Sequence, residues 1–201
     1  PGENAQRYFA KYNKQKRTFE ALTELIQETA DDIQYLESIS NALDIALSEA
    51  DLAQIKEELM QSGYIRRKHT KKKVKLTSKP MHYISSDGYD MYVGKNNLQN
   101  EELTFSFANG NDWWFHAKGA PGSHVIVKSG GDELPDRTFE EAGRLAAYYS
   151  KNRGADKVEI DYIQKKHVKK PNGAKPGFVV YYTNYSLVID SDISNIKNVQ
   201  D

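Results

Sequence analysis

The stretch WWFHAKGAPGSHVIV, residues 113–127, decides the fold, because two short apolar segments flank a Pro-Gly turn. Both segments are rich in aromatic and β-branched side chains, which favour strands. Side chains alternate between the two faces of a strand. Trp113 and Phe115 are therefore expected to share a face in the core, while Trp114 and His116 point to the opposite, functional face.

Further predicted elements surround this stretch. MHYISSDGYDMYVGK, residues 81–95, alternates around Asp-Gly and predicts a β-hairpin. Residues 96–107 predict a short helix, and residues 135–152 an amphipathic helix. The apolar runs DKVEIDYI, GFVVYYTN and YSLVID, at 156–163, 177–184 and 185–190, predict three more strands. Hairpins outnumber crossovers, so we expect an α+β fold: a compact mixed β-sheet domain with a few helices, at 81–201.

A long helical arm is predicted upstream, at 1–62. Residues 5–48 contain neither Gly nor Pro, and apolar side chains recur every three or four residues, as in a coiled coil. A second helix is predicted from Glu49 to Ser62, with a capping box formed by Ser48 and Asp51. It is too short to cover the apolar seam. We expect residues upstream of Pro1, or a second chain in a homodimer, to cover the rest; the alternative is a long core helix.

Charge is segregated along the chain, although the net charge is zero. The arm is acidic between residues 20 and 58. Two segments are lysine-rich and contain no acidic residue: residues 64–79, within the predicted linker at 63–80, and residues 165–175. Such tracts suit a polyanionic partner, although charge runs are also common in solvated loops. No run is long and apolar enough for a membrane helix, so we expect no membrane insertion.

Catalytic and metal sites find little support. A metal site would use His116, His124 and Asp112, but the two histidines flank a turn and lack the spacing of known metal motifs. A nucleophile at Ser123 with His124 fails because adjacent strand residues point to opposite faces. We therefore expect no enzyme activity, no metal and no cofactor. The absence of cysteine excludes disulfides but leaves the cellular compartment open.

An anion-binding surface fits the turn better. GAPGSH offers backbone N–H groups, and Lys118 flanks it. GKNNLQN adds Lys95 and four side-chain amides at the start of a helix, where N–H groups are free. Lysines can hold phosphates while Trp114 stacks on a base. The alternatives are that the amides only cap the helix and that the aromatic residues belong to the core.

Four stretches carry a family resemblance: YVGKNNLQNEELTF, DWWFHAKGAPGSHVIV, EAGRLAAYYSKNR and VEIDYIQKKHVKKPNGAKPGFVVYYTNYSLVI. They resemble the C-terminal NFACT-R domain of the RqcH/NEMF/FbpA family, and the helical part resembles the coiled coil of that family. The resemblance implies ribosome-associated quality control in the cytoplasm. Members bind the large ribosomal subunit and tRNA and promote addition of C-terminal alanine tails, with the chemistry left to the ribosome.

The resemblance also implies the RNA-contacting residues. By motif matching these are Lys95, Asn96, Asn97, Gln99, Asn100, Asp112, Trp114, His116, Lys118, Gly122, Ser123 and His124; charge adds Lys165, Lys166, Lys169 and Lys170. Some relatives carry the name of fibronectin- or fibrinogen-binding proteins at the cell surface without a signal peptide. The alternative function is therefore an adhesin for these host proteins, through basic loops or strand edges.

Overall fold

The structure is a computed structural model that describes residues 2–66 and 78–199. Most of the predicted basic linker, residues 67–77, lies outside the described residues. The chain divides into two compact units, one ending at Glu37 and the other beginning at Ser38.

Helix α1 (Gly2–Ile45) confirms the long predicted helix. The first unit consists of the part of this helix up to Glu37, where large apolar side chains are exposed: Tyr8 at 61%, Phe19 at 72%, Ile26 at 67% and Ile33 at 55%. A row of exposed aromatic and aliphatic side chains on a helix is a surface that packing normally covers.

Helix α2 (Glu49–Gln61) begins at the predicted capping box. The Ser48 side chain accepts from the Asp51 backbone N–H, and the Asp51 carboxylate accepts from the backbone N–H of Ser48. The helix ends at Gln61 with Ser62 as its C-cap, and Gly63 follows with a φ of 81°, which glycine adopts at little cost.

Seven strands form one sheet, in the order β6-β5-β3-β4-β2-β1-β7. The strands are β1 (Met81–Ile84), β2 (Asp90–Val93), β3 (Trp113–Ala117), β4 (Val125–Val127), β5 (Val158–Gln164), β6 (Tyr185–Ile189) and β7 (Lys197–Asn198). The α+β class is confirmed. All the described strand pairs are antiparallel, so the sheet is antiparallel rather than mixed as predicted. Three of the pairs, β1-β2, β3-β4 and β5-β6, join strands that follow each other in the sequence.

The helices of the compact half lie between these strands in sequence. They are α3 (Asn97–Glu102), which continues into a π-helix (Leu103–Phe107), then α4 (Asp136–Tyr148) and a 3-10 helix (Lys165–His167). The predicted short helix at 96–107 and the amphipathic helix at 135–152 are confirmed. The π-helix was not predicted; such turns are rare in helices and are frequent at functional sites.

Each face of the sheet has its own apolar cluster. On the α4 face, Phe115, Val125 and Met91 pack with Leu145 of α4. On the opposite face, which we call the Trp114 face, Trp114 lies between its strand neighbours Ile126 and Ile163. Leu103 and Val168 cover this cluster from outside the sheet. Both faces of the central strands are therefore core.

The segment GFVVYYTN, residues 177–184, does not form the predicted strand of the sheet. Its backbone makes an isolated bridge, between Val180 and Lys169. Val179 and Tyr181 instead pack onto the Trp114 face, with the Tyr181 ring 5.0 Å from the Trp114 ring. The apolar side chains that suggested a strand belong to a covering loop.

Candidate nucleic-acid interface

Trp114 is fully buried, with an exposed fraction of 0%. It stacks with His116 at a ring distance of 5.6 Å and meets His124 edge-on at 5.1 Å. The prediction that Trp114 offers an exposed ring for a base is therefore wrong. Alternation did place it opposite Phe115, but residues 97–107 and 168–181 cover its face as well.

Three of the predicted RNA-contacting amides are buried and hydrogen-bonded within the protein. The Asn96 and Gln99 amides both donate to the Gln54 side chain of α2, at 2.7 and 2.6 Å. The Asn97 amide donates to Glu58 of α2 at 2.8 Å. The Asn96 side chain also accepts from the Gln99 backbone N–H and so caps α3. These groups attach α3 to α2 and do not form an exposed surface.

Asn100 holds the turn that was expected to bind anions. Its side-chain oxygen accepts from the His124 backbone N–H at 2.9 Å, and its amide donates to the Gly122 carbonyl at 3.3 Å. The Ser123 N–H donates to the Tyr149 carbonyl at 2.9 Å, while Ser123 itself is buried. The Ser123 N–H is therefore already used and does not serve the predicted anion-binding nest.

Lys95 is paired with a buried carboxylate. Its ammonium lies 3.0 Å from Asp51 of α2. Burial alone would raise the pKa of Asp51, but hydrogen bonds from Ser78, Lys95 and the backbone outweigh it and lower the pKa to about 2. The capping residue of α2 thus also neutralises Lys95, which leaves little positive charge for a phosphate.

Asp112 organises the turn before β3. Its carboxylate accepts from the Asn109 and Ser129 backbone N–H groups, at 2.7 and 3.1 Å, and forms an ion pair with Lys128. With 1% of its surface exposed, it holds the turn from inside rather than facing a ligand.

His116 and His124 face each other across the Pro-Gly turn, with ring centres 5.4 Å apart. Burial lowers the pKa of His116 to about 4, against the opposing effect of the nearby Asp161 carboxylate. Burial also lowers the pKa of His124 well below its ordinary value, and the charge of His116 acts in the same direction. Both rings are therefore neutral near pH 7. Within residues 2–66 and 78–199, no group of three potential ligand side chains is arranged to hold a metal ion.

Two more predicted lysines have carboxylate partners. Lys118 lies 2.5 Å from Glu159, and Lys170 lies 2.7 Å from Glu101. Surface pairs of this kind are weak and exchange readily with solvent. They reduce the local positive charge but leave both ammonium groups near the surface.

Lys166 and Lys169 are different, because both are exposed. In the part of the chain that the structure describes, neither makes an ion pair. The Lys165 ammonium lies 5.8 Å from the centre of the Phe105 ring. Apart from Lys170, which is paired with Glu101, the lysines of the segment from Lys165 to Lys170 therefore keep the positive charge that the sequence predicted.

An aromatic stack that the sequence did not predict lies on the Trp114 face. His82 and Tyr92 are cross-strand partners, with parallel rings 4.5 Å apart. Phe107, at the end of the π-helix, meets Tyr92 edge-on at 4.7 Å, and the Lys128 ammonium lies 4.8 Å from the Phe107 ring. We call His82, Tyr92 and Phe107 the aromatic stack. Alternation in the 81–95 hairpin signalled the His82 and Tyr92 faces, but nothing local placed Phe107 beside them.

No described helix combines the length and hydropathy that crossing a membrane requires. Residues 1–78 match the model of the NFACT N-terminal and middle domains, and residues 79–183 match that of the NFACT protein RNA binding domain. The boundary between the two matches lies within the predicted linker.

Two curated relatives are similar over essentially the whole chain. Rqc2 homolog RqcH of Streptococcus pneumoniae serotype 2 is 45% identical over 201 residues, 100% of this chain and 36% of that protein. Rqc2 homolog RqcH of Bacillus subtilis strain 168 is 40% identical over 98% of this chain and 34% of that protein. The chain thus spans about a third of the length of these relatives.

A solved structure has the same fold. It is the C-terminal part of the fibronectin/fibrinogen-binding protein from Streptococcus suis, which superposes with a TM-score of 0.87 at 44% identity. The match covers 95% of this chain and 76% of that one. Together with the RNA-binding-domain match over residues 79–183, this similarity shows that the chain belongs to the NFACT family.

Proposed function

We propose that this chain is the RNA-binding, ribosome-docking part of a ribosome-associated quality control factor. In this role it contacts the large ribosomal subunit and tRNA in the cytoplasm and supports C-terminal alanine tailing of stalled nascent chains. The ribosome performs the peptide chemistry, so the chain acts as a binding protein without a catalytic residue, metal or cofactor. The name of the RqcH relatives and the RNA-binding-domain match support this proposal.

One observation in the structure carries the proposal. Lys166 and Lys169 are exposed, and in the described ranges neither ammonium has a carboxylate partner, on a domain whose family match is an RNA-binding domain. An RNA backbone supplies the missing negative charge, and counterion release then favours binding. The proposed contact surface is therefore narrower than the one expected from the sequence: it keeps the predicted lysines of the segment from Lys165 to Lys170 and leaves out the buried amides.

The test is co-sedimentation of the chain with purified large ribosomal subunits, together with filter binding of tRNA. A Lys166→Glu/Lys169→Glu variant should lose most binding to both, because two attractive charges become repulsive. The matched control is Lys157→Glu/Lys197→Glu, which makes the same charge change at two other exposed lysines and should bind like the unchanged chain.

Fibronectin provides the contrasting ligand, because the similar Streptococcus suis protein is named for binding it. Our proposal expects the chain to bind RNA in preference to immobilised fibronectin. Strong, salt-tolerant fibronectin binding by the Lys166→Glu/Lys169→Glu variant, without RNA affinity in the unchanged chain, would favour the adhesin function instead.

A further inference from the structure

The aromatic stack lies where the Trp114 face of the sheet opens to solvent. His82 and Tyr92 continue the cross-strand row of Ile126, Trp114 and Ile163 towards the β1 side of the sheet. Trp114 in the middle of the row is sealed, but Phe107 is 41% exposed and the His82 side chain is 25% exposed. The row thus passes from a core into an aromatic surface.

The stack is held in place by polar contacts at both ends. His82 is bonded through Nε2 to the Asp90 carboxylate at 2.7 Å, which fixes the imidazole plane parallel to the Tyr92 ring. At the other end, the Lys128 ammonium contacts Phe107 and is itself anchored by the buried Asp112. Rings that are fixed before binding lose little entropy when a ligand stacks on them.

Positive charge lies on the Phe107 side of the stack. The π-helix carries both Phe105 and Phe107, and Lys165 lies over the first ring as Lys128 lies over the second. The Lys166 backbone N–H donates to the Gly110 carbonyl. The backbone of this exposed lysine therefore lies beside the turn that follows the π-helix. Asp90 lies at the opposite end, beside His82. This polarity would direct phosphates towards the lysines and away from Asp90.

We propose that the aromatic stack is a base-stacking site for an unpaired RNA nucleotide, with its base on the exposed Phe107 ring and the neighbouring phosphates at Lys165 and Lys166. Aromatic rings beside a positively charged surface are the arrangement with which proteins bind single-stranded nucleic acids. The inference deepens the proposed function and rests on it. It replaces Trp114, which is buried, with a ring that a base can reach.

Fluorescence anisotropy with a labelled single-stranded RNA of about eight nucleotides tests this site, since that length suits a small binding surface. The Phe107→Ala variant should bind about 5- to 100-fold more weakly, with an unchanged slope of log affinity against log salt, because stacking involves no counterion release. Phe107→Trp should retain the affinity. An RNA of equal charge with abasic positions should bind the unchanged chain and Phe107→Ala equally.

Two controls separate the possible failures. Tyr182→Ala removes another exposed ring, 75% exposed, and should bind like the unchanged chain. Thermal midpoints verify that each variant is folded. If Phe107→Ala binds like the unchanged chain while Lys166→Glu/Lys169→Glu loses binding, this inference is wrong and the proposed function stands. If the unchanged chain binds no single-stranded RNA at low salt but binds large ribosomal subunits and tRNA, this inference is wrong and the proposed function stands; if it binds none of the three, both are wrong.

Discussion

At the scale of single residues, Trp114 shows how burial decides a role. The fully buried ring packs against Ile126, Ile163 and Leu103. We expect Trp114→Ala to lower the free energy of unfolding by about 3–5 kcal/mol, the usual cost of truncating a large buried aromatic residue. Chemical denaturation measures this loss directly.

The indole N–H of Trp114 adds a second expectation. Among the described residues, this buried nitrogen has no hydrogen-bond partner. Trp114→Phe removes that unsatisfied donor together with some volume, so its cost should be clearly smaller than that of Trp114→Ala. A Trp114→Ala protein with an unchanged unfolding free energy but no RNA affinity would instead mean that the ring is a ligand contact.

The buried histidines predict a pH dependence. The pKa of His116 is about 4 in the folded chain against an ordinary value of 6.5, so the unfolded chain binds more protons between these values. This contribution to stability is complete above pH 6.5 and is lost as the pH falls towards 4; His124 acts in the same direction.

Thermal midpoints measured across this range should therefore fall as the pH is lowered. His116→Gln should make the fall shallower, because one of the two buried histidines that gain a proton on unfolding is gone. A midpoint with the same pH dependence in both proteins would contradict the buried, neutral state of His116.

The sequence predicted which face of β3 the aromatic side chains occupy, but not whether that face is exposed. Alternation correctly placed Trp114 opposite Phe115. Whether the second face met solvent depended on residues 97–107 and 168–181, which are distant in sequence from β3 and whose packing no local pattern reveals. The sequence pattern of a short apolar strand is the same whether one face or both faces of the strand are covered.

At the scale of secondary-structure elements, the amides of GKNNLQN act as connectors. Asn100 is 3% exposed and joins α3 to the turn before β4 through its two hydrogen bonds. Asn100→Ala leaves the His124 N–H and the Gly122 carbonyl without these partners. We expect a loss of about 1–3 kcal/mol in unfolding free energy, which denaturant titration can measure.

RNA affinity separates this connecting role from a binding role. At temperatures where the Asn100→Ala chain is folded, its affinity for single-stranded RNA should match that of the unchanged chain. If the Asn100→Ala chain were as stable as the unchanged chain but did not bind RNA, Asn100 would be part of the RNA interface.

The seam of α1 makes a prediction of its own. Leu22 and Ile26 are 51% and 67% exposed on one helical face. Covering such a row with a second helix buries apolar surface and stabilises the pair of helices. We expect the chain to form homodimers through this seam as its concentration rises. Sedimentation velocity should show Leu22→Glu/Ile26→Glu as a monomer at concentrations where the unchanged chain associates.

Thr23→Glu/Gln27→Glu is the matched control for the seam, because it adds the same charge at the same spacing one residue further along the helix. This variant should associate like the unchanged chain. Equal loss of association in both variants would indicate a general charge effect and not a seam.

Helices were easier to predict than strands in this chain. The capping box at Ser48 and the uninterrupted period of α1 are local signals, and both are confirmed. The strand predicted at GFVVYYTN was wrong. This segment covers the Trp114 face as a loop, and a covering loop needs the same apolar residues as a strand. The two residues of β7 are too few to produce any period.

At the scale of the whole molecule, the zero net charge hides a difference between lysines that are paired with carboxylates and lysines that are not. In the compact half, ion pairs such as Lys95 with Asp51 and Lys128 with Asp112 neutralise several lysines. Lys166 and Lys169 keep their charge. The sequence predicted the basic segment, but it could not show which lysines had partners, because those carboxylates lie far away in the chain.

The most direct test of this account is the salt dependence of single-stranded RNA binding. Each phosphate contact contributes about 0.7 to the slope of log affinity against log salt for a single strand. We predict that Lys166→Ala/Lys169→Ala reduces this slope by about 1.4, while Lys157→Ala/Lys197→Ala leaves it unchanged. An identical slope and affinity in the Lys166→Ala/Lys169→Ala chain would contradict the claim that the exposed lysines of this segment are the RNA contact.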